Sequence, residues 1–225
     1  QGARTGITAG AVPNGGHIIN SNRMCHITGI SPHHSEDAFI LTVQPGLLLC
    51  DLRLLLESRK FDTTGWSPES LGAFAELKTR KEYFFPPDPT EASASIGGMV
   101  SCNASGARSF FYGPTRNYVE SMRVILADGS LLELKRGQLK ASGRKFSVTT
   151  GNGRTISGSL PSYNMPDVKN ASGYFARTDM NLIDLFIGSE GTLGIFSELG
   201  LKLMPAPAVM WGVMTFFPSE EIAMS

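Results

Sequence analysis

Hydrophobic and polar positions along the first quarter of the chain predict two strands and one helix. Residues 17–24 (HIINSNRM) and 38–46 (AFILTVQPG) show the alternation of half-buried strands, and a Pro-Gly turn ends the second. In residues 47–61 leucines recur at helical spacing, and those that share one face are Leu48, Leu52, Leu55 and Leu56. This segment is therefore expected to be an amphipathic helix.

The middle of the chain carries weaker periodic signals. Residues 62–83 have no clear period and are predicted to be irregular. Residues 84–93 (FFPPDPTEAS) contain three prolines, which fix φ and remove backbone donors, so a rigid turn is expected there. Residues 95–119 are rich in glycine and other small residues, which predicts a loop that contains a short helix.

Two dipeptides in the second half are typical of β-hairpins. Apolar runs flank Asp128-Gly129 and again Asn152-Gly153, and both pairs suit the positive φ of a two-residue turn. Residues 179–207 then pass from an apolar segment through a glycine loop into a strand, and the tail resembles a strand followed by a helix capped by Ser219. The pattern predicts an α+β domain with a mixed or antiparallel sheet and flanking helices.

Composition narrows the class of protein. The 225 residues carry 20 Lys+Arg and 20 Asp+Glu, so no overall field attracts nucleic acid or an anionic membrane. Three cysteines without a Cys-x-x-Cys pair argue against a disulfide framework or a zinc site. No apolar run reaches the roughly 20 residues of a membrane span, and no leader is visible. These observations predict a cytoplasmic protein without a transmembrane segment or metal; peripheral membrane association of a larger parent stays open.

The candidate ligand-binding segments are three glycine loops, at residues 2–10, 95–106 and 188–194. Successive backbone N–H groups in a glycine turn form a concave nest that binds anions, and Thr5 and Thr8 add hydroxyl donors to the first loop. A tight surface turn explains that loop equally well. A P-loop is excluded because its motif is absent, and a Rossmann site is disfavoured because the glycines at 151–153 lie in a predicted hairpin.

Four stretches, in order and spacing, resemble the FAD-binding domain of the vanillyl-alcohol oxidase/p-cresol methylhydroxylase (PCMH) superfamily, on the branch of D-lactate dehydrogenase/glycolate oxidase-like flavoproteins. They are GARTGITAGAVPNGGHIIN, TVQPGLLLCDL, FFPPDPTEASASIGGMVSCNASGARSFFYGPTRNYVESMRVILADG and DLFIGSEGTLGIFSELGLKLMPAP. Residues 62–83 and 137–161 lie outside the resemblance and look like insertions. The resemblance implies a PCMH-type FAD-binding domain.

The resemblance assigns candidate cofactor-binding residues position by position. The diphosphate loop would be Gly2, Ala3, Arg4, Thr5, Gly6, Ile7 and Thr8. The wall beside the flavin would be Pro87, Asp88, Ser95, Gly97, Gly98, Met99, Asn103, Ser105, Gly106 and Gly113. The flavin–adenosine side would be met by Glu190, Gly191, Gly194 and Ile195. Structural alternatives stay open for three of them, since Asp88 could cap a turn, Asn103 could form an Asx-turn and Glu190 could orient its own loop.

The resemblance also implies a cofactor and a reaction. Some relatives attach the flavin through a histidine near the first loop, but residues 2–10 contain none, so non-covalent FAD is expected. The implied reaction transfers a hydride from the carbinol carbon of a D-lactate- or glycolate-like 2-hydroxy acid to flavin N5. Relatives supply the base, the cation for the carboxylate and the metal from a second domain, so no catalytic residue and no metal ligand is assigned here.

Domain limits follow from the same comparison of motifs. Residues 1–204 would form the FAD-binding domain without its N-terminal subdomain, and residues 205–225 would begin a substrate domain. The chain by itself is then expected to bind FAD weakly and to be inactive, while its parent meets a hydroxy acid and an electron acceptor. Alternatives are a non-catalytic flavin-binding subunit that relays electrons, and a β-rich interaction domain. The oligomeric state stays open, a homo-oligomer included.

Overall fold

A computed structural model describes residues 1–224. The strands are β1 (Ile27–Pro32), β2 (Phe39–Val43), β3 (Tyr83–Phe84), β4 (Val119–Ile125), β5 (Leu131–Lys135), β6 (Lys145–Thr149), β7 (Thr155–Ser159) and β8 (Ile195–Pro205). The helices are α1 (Leu49–Ser58), α2 (Pro68–Thr79), α3 (Ile96–Ser101), α4 (Ser109–Tyr112), α5 (Ile183–Phe186) and α6 (Glu220–Ala223), with a 3-10 turn at Thr115–Tyr118. The expected α+β class is confirmed.

The longest strand, β8, is the centre of the main sheet. The strand order is β1-β2-β8-β4-β5, β3 pairs with the end of β8, and the pairings are antiparallel. Leu199, Leu201 and Leu203 of β8 are fully buried, and they share one core with the apolar faces of α1, α2 and α3. This buried central strand is the one predicted to follow the glycine loop in residues 179–207.

The expectation of irregular structure over residues 62–83 is wrong, because α2 forms there. Ser67 caps the helix by accepting a hydrogen bond from the Ser70 N–H, and Pro68 occupies the first helical turn, where its missing N–H costs nothing. Ala73, Phe74 and Leu77 are buried against the core. The Ser-Pro-Glu start signal was present, but the short apolar face gave no clear period.

The strand predicted at residues 17–24 is also wrong. The segment has no strand assignment, and Ile18 and Ile19 remain more than half exposed, so no neighbouring strand completes a ladder. The first strand instead begins at Ile27. The tail lacks its predicted strand as well, whereas Ser219 does cap α6.

Both predicted hairpins form, with a different turn. In each, only the glycine has positive φ: Gly129 at 80° and Gly153 at 83°. The Gly129 N–H donates to the Leu126 carbonyl, and the Gly153 N–H donates to that of Thr150, which is the pattern of a three-residue loop with a glycine bulge. The asparagine and aspartate side chains turn inward to cap the loop, which removes the need for positive φ at these residues.

Among residues 1–224, no helix has both the length and the apolar character needed to cross a bilayer.

Candidate cofactor site

Helix α3 is the element around which the glycine loops gather. Ser95 caps it through a hydrogen bond from the Gly98 N–H, and the Gly97 N–H donates to the Pro45 carbonyl at 2.7 Å. A Cβ on Gly97 would lie 2.6 Å from that of Pro45, so only glycine fits this approach. Gly98 faces outward, whereas Met99 is 1% exposed in the core. Only the backbone of Met99 can therefore contribute to a surface site, and its predicted place beside the cofactor stays a prediction.

The first glycine loop rests on the start of α3. The Ala3 N–H points at the Ser95 Oγ at 3.4 Å, and Gly2 packs against the same side chain. Arg4 has a φ of 62°, which turns the chain away from the helix. Within the described residues, the backbone N–H groups of residues 4–8 donate no hydrogen bond to the protein. These donors are free for an anion, as the nest interpretation requires.

The second loop is packed against the proline-rich turn. A Cβ on Gly106 would overlap the Asp88 carbonyl, so glycine is obligatory at this crossing. The Asp88 carboxylate pairs with Arg53 at 2.6 Å and Arg108 at 3.5 Å, which holds the turn between α1 and α4. Gly113 ends α4 with a φ of 80°. Asp88 thus has a structural partner set, and its contact with a flavin stays a prediction.

The third loop is bound to the end of α3. The Gly188 N–H donates to the Val100 carbonyl and the Glu190 N–H to that of Ser101, both at 2.9 Å. Gly191 has a φ of 78° and open space around it. Since α3 has six residues, the first and third loops meet ends of one helix that lie about 9 Å apart.

The third loop leads into β8 through another tightly packed glycine. A Cβ on Gly194 would lie 2.6 Å from a Val124 methyl carbon. Ile195, the next residue, pairs with Ile125 and is 39% exposed. The backbone here is accessible on one side, and its predicted contact with the cofactor stays untested.

A buried ion cluster that the sequence did not reveal holds the third loop. Arg116 donates from Nη1 to the Asp184 carbonyl at 2.5 Å and from Nη2 to the Ile187 carbonyl at 2.6 Å, and it pairs with the Asp184 carboxylate at 3.2 Å. Arg136 donates to both oxygens of that carboxylate at 3.1 Å. The backbone N–H of Arg116 also donates to the Asn103 Oδ1. The second and third loops are therefore joined through one arginine.

Burial shifts the pKa values of Arg116 and Cys102. Desolvation lowers the pKa of Arg116, and the Asp184 carboxylate opposes that shift. Burial raises the pKa of the Cys102 thiol, and nearby Glu190 adds to the rise, so the thiol stays protonated. The residue Cys102 as a whole is nevertheless exposed at the end of α3.

A cavity of about 920 Å³ opens beside the joined loops. Asn103, Ser105 and Gly106 line the cavity together with Gly188. Much of the remaining lining comes from residues 165–177, called the outer wall below, which the sequence did not assign to the site. The first loop does not line this cavity. All three loops contact α3, but they do not line one continuous pocket.

Comparisons with known proteins indicate which family the chain resembles. Residues 69–135 match the family described as FAD binding domain. The chain is 34% identical to a D-lactate dehydrogenase of Anaerostipes hadrus over 92% of its length, which is 31% of that protein. It is 28% identical to glycolate oxidase subunit GlcD of Bacillus subtilis over 99% of its length, 35% of that protein. It therefore spans about a third of the length of the curated relatives it matches.

A solved structure supports the fold. Alkyldihydroxyacetonephosphate synthase matches with a TM-score of 0.55 and 18% identity over 93% of this chain and 29% of that one. The fold and loops define a flavoprotein of the PCMH type. More specifically, the FAD-binding match and the similarity to a D-lactate dehydrogenase and a glycolate oxidase subunit confirm the resemblance to the FAD-binding domains of the vanillyl-alcohol oxidase/PCMH superfamily, on the D-lactate dehydrogenase and glycolate oxidase branch.

FAD is accordingly the cofactor, and the residues present fit it. Free amides at residues 4–8 suit the diphosphate. Open space beside Gly6 and Gly191, where a Cβ would meet nothing within 4 Å, leaves room for close approach of a ligand. Among residues 1–224, no group of three or more His, Cys, Asp or Glu side chains is placed to hold a metal.

Proposed function

We propose that this chain is the FAD-binding part of an oxidoreductase that oxidises a D-lactate- or glycolate-like 2-hydroxy acid. The single observation that carries the proposal is the gathering of three glycine loops around α3, with free amides at residues 4–8. Relatives named D-lactate dehydrogenase, glycolate oxidase subunit and D-2-hydroxyglutarate dehydrogenase, the last from Stutzerimonas stutzeri, supply the substrate class. FAD, when bound, would supply the acceptor for the hydride at its N5 atom.

The chain's own residues have binding roles in this proposal. The amides of residues 4–8 bind the diphosphate, and charge-assisted hydrogen bonds of this kind contribute about 1.5–3 kcal/mol each. Glycines 97 and 106 let the backbone pack closely enough to form a flat wall beside the ring. Arg116 keeps that wall in register with the third loop. No residue of this chain is assigned as the base that takes the hydroxyl proton.

We also propose that residues 1–204 form the FAD-binding unit and that residues 205–225 begin a substrate domain. The last strand, β8, ends at Pro205. Beyond it, Trp211, Val213 and Phe216 are each about 85% exposed, which is unusual for apolar side chains and fits a segment that packs elsewhere. Limited proteolysis should cut between residues 206 and 219 first, because that segment lies outside the sheet.

The test uses the full-length protein that contains this chain. Apo protein is titrated with FAD by fluorescence quenching, and the loaded protein is then mixed anaerobically with D-lactate, glycolate or D-2-hydroxyglutarate. We expect stoichiometric FAD binding, flavin release on acid precipitation as non-covalent attachment requires, and bleaching by at least one of these three 2-hydroxy acids. Protein that binds FAD but is not bleached by any of them would favour an electron-relay subunit and overturn the proposal.

The 225-residue chain is a separate arm of this test. We expect it to bind FAD weakly and to show no turnover. No residue of this chain is proposed as the catalytic base, and the chain spans about a third of the relatives' length. Tight stoichiometric binding to the chain alone would overturn that expectation without affecting the proposed reaction.

A further inference from the structure

We infer that Arg177 and Lys169 of the outer wall bind the substrate carboxylate. The inference rests on the proposed function, and it places a cationic binding group in the FAD-binding unit itself. Both residues line the cavity of about 920 Å³ that Asn103, Ser105 and Gly106 also line.

Lys169 and Arg177 differ from Arg116, the third cation that lines the cavity, because they have no ion-pair partner among residues 1–224. The charged residues that line the cavity are Arg116, Lys169, Arg177 and Asp167. Arg116 already pairs with Asp184, whereas Lys169 and Arg177 form no ion pair with any residue of the described chain. The cavity therefore has an excess of positive charge on its outer wall, which favours an anionic ligand.

Contacts around Phe175 hold Arg177 on this wall. The Arg116 guanidinium lies 4.2 Å from the centre of the Phe175 ring, and the Arg177 guanidinium lies 5.6 Å from it. Both distances are within the range of cation–π attraction. The Tyr174 hydroxyl and the Thr192 Oγ1 are 2.7 Å apart, which connects the outer wall to the third loop. Arg177 is thus attached to the same framework as the predicted flavin wall.

A carboxylate of the substrate fits this wall better than the cofactor's diphosphate. The free amides at residues 4–8 do not line this cavity, so the expected diphosphate site is elsewhere. A hydroxy acid must lie against the flavin to react, and its carboxylate would then lie in the same cavity as the cations of the outer wall. A planar guanidinium matches a carboxylate with two parallel hydrogen bonds, and an ammonium adds a point charge.

The experiment uses the FAD-loaded full-length protein with Arg177→Gln, Lys169→Gln and Arg177→Lys, and Lys135→Gln as a charge-matched control outside the cavity. We expect each Gln variant to raise KM for the hydroxy acid by about 10- to 100-fold with kcat little changed. Arg177→Lys should recover part of the loss. Propionate, which has the carboxylate but no hydroxyl to oxidise, should bind more weakly to the Gln variants by a similar factor.

Two results would overturn the inference. Unchanged KM and unchanged propionate affinity in both Gln variants would show that the outer wall does not bind the carboxylate. Weaker FAD binding with unchanged KM would show that the cations bind the cofactor instead. Failure of the proposed function is distinguishable, because wild-type protein would then not be bleached by any hydroxy acid, whereas propionate binding measures the outer wall independently of turnover.

Discussion

The first and third glycine loops have similar composition and opposite environments. Residues 2–8 touch the rest of the protein chiefly through Ser95, and five consecutive amides there have no partner in the described chain. Residues 188–194 are held by backbone hydrogen bonds to α3, by Arg116 and by the close packing of Gly194. Glycine content therefore does not determine whether a loop is free to bind or fixed as support.

The difference arises from charged side chains distant in sequence. Arg116 follows the second loop, Arg136 follows strand β5, and Asp184 precedes the third loop. The three side chains nevertheless meet in one buried cluster. A buried cluster of this kind restricts a loop because any movement would leave a charge without its partner. The first loop has no such cluster, which leaves its amides available.

The largest effect is expected from Asp184→Ala. The carboxylate is 10% exposed and pairs with two arginines, so its removal leaves both positive charges without an anionic partner, although their hydrogen bonds to backbone carbonyls remain. We expect the free energy of unfolding to fall by about 3–5 kcal/mol, measured by urea denaturation. The third loop should also lose protection in hydrogen exchange, while the first loop should not change.

A matched control is Glu133→Ala. Glu133 pairs with Arg123 at 2.7 Å, but both side chains are about half exposed, so the loss should be under about 1 kcal/mol. Equal losses in the two variants would contradict the conclusion that burial makes the Asp184 cluster important.

A smaller effect is expected from glycine substitutions in the two loops. Gly194→Ala should lower the free energy of unfolding by about 1–3 kcal/mol, because the added methyl meets Val124 and the Ile125 carbonyl and the φ of 155° disfavours a side chain. Gly6→Ala has open space and should stay within about 1 kcal/mol of wild type. Urea denaturation of both variants measures the contrast, and a destabilised Gly6→Ala would show that the first loop is packed.

A pH dependence is expected at the turn that carries Arg116. Burial raises the pKa of Tyr118 to about 12, with a further contribution from Tyr112. Above about pH 10 the unfolded chain loses this proton while the folded protein keeps it, so stability falls as the pH rises from about 10 toward 12. Tyr118→Phe should remove that part of the slope in unfolding measured between pH 9 and 12, all pH values being approximate. An identical slope in both proteins would contradict the assignment to Tyr118.

Local sequence signals predicted much of the fold. Helix α1 and the two hairpins follow from leucine spacing and from Asp-Gly and Asn-Gly pairs, since these effects act within a few residues. Helix α2 was missed because only its start signal was strong. The strand expected at residues 17–24 was wrong because alternation indicates a strand only where a partner is available.

Some features of the candidate site were likewise predicted from the sequence, and others were not. The glycine motifs indicated the three loops and, through family resemblance, the cofactor. The Arg116–Asp184–Arg136 cluster and the outer wall gave no local signal, because an isolated arginine or aspartate in a sequence is most often solvated.

By itself, the sequence determined the α+β class, the glycine loops and the FAD-binding family, since each depends on local periodicity or on motifs in a fixed order. Only the tertiary structure decided which loop is fixed and which is free, and which cations remain unpaired at the cavity. The physical reason is that burial and ion pairing depend on segments distant in sequence, so their contribution appears only when the chain has folded.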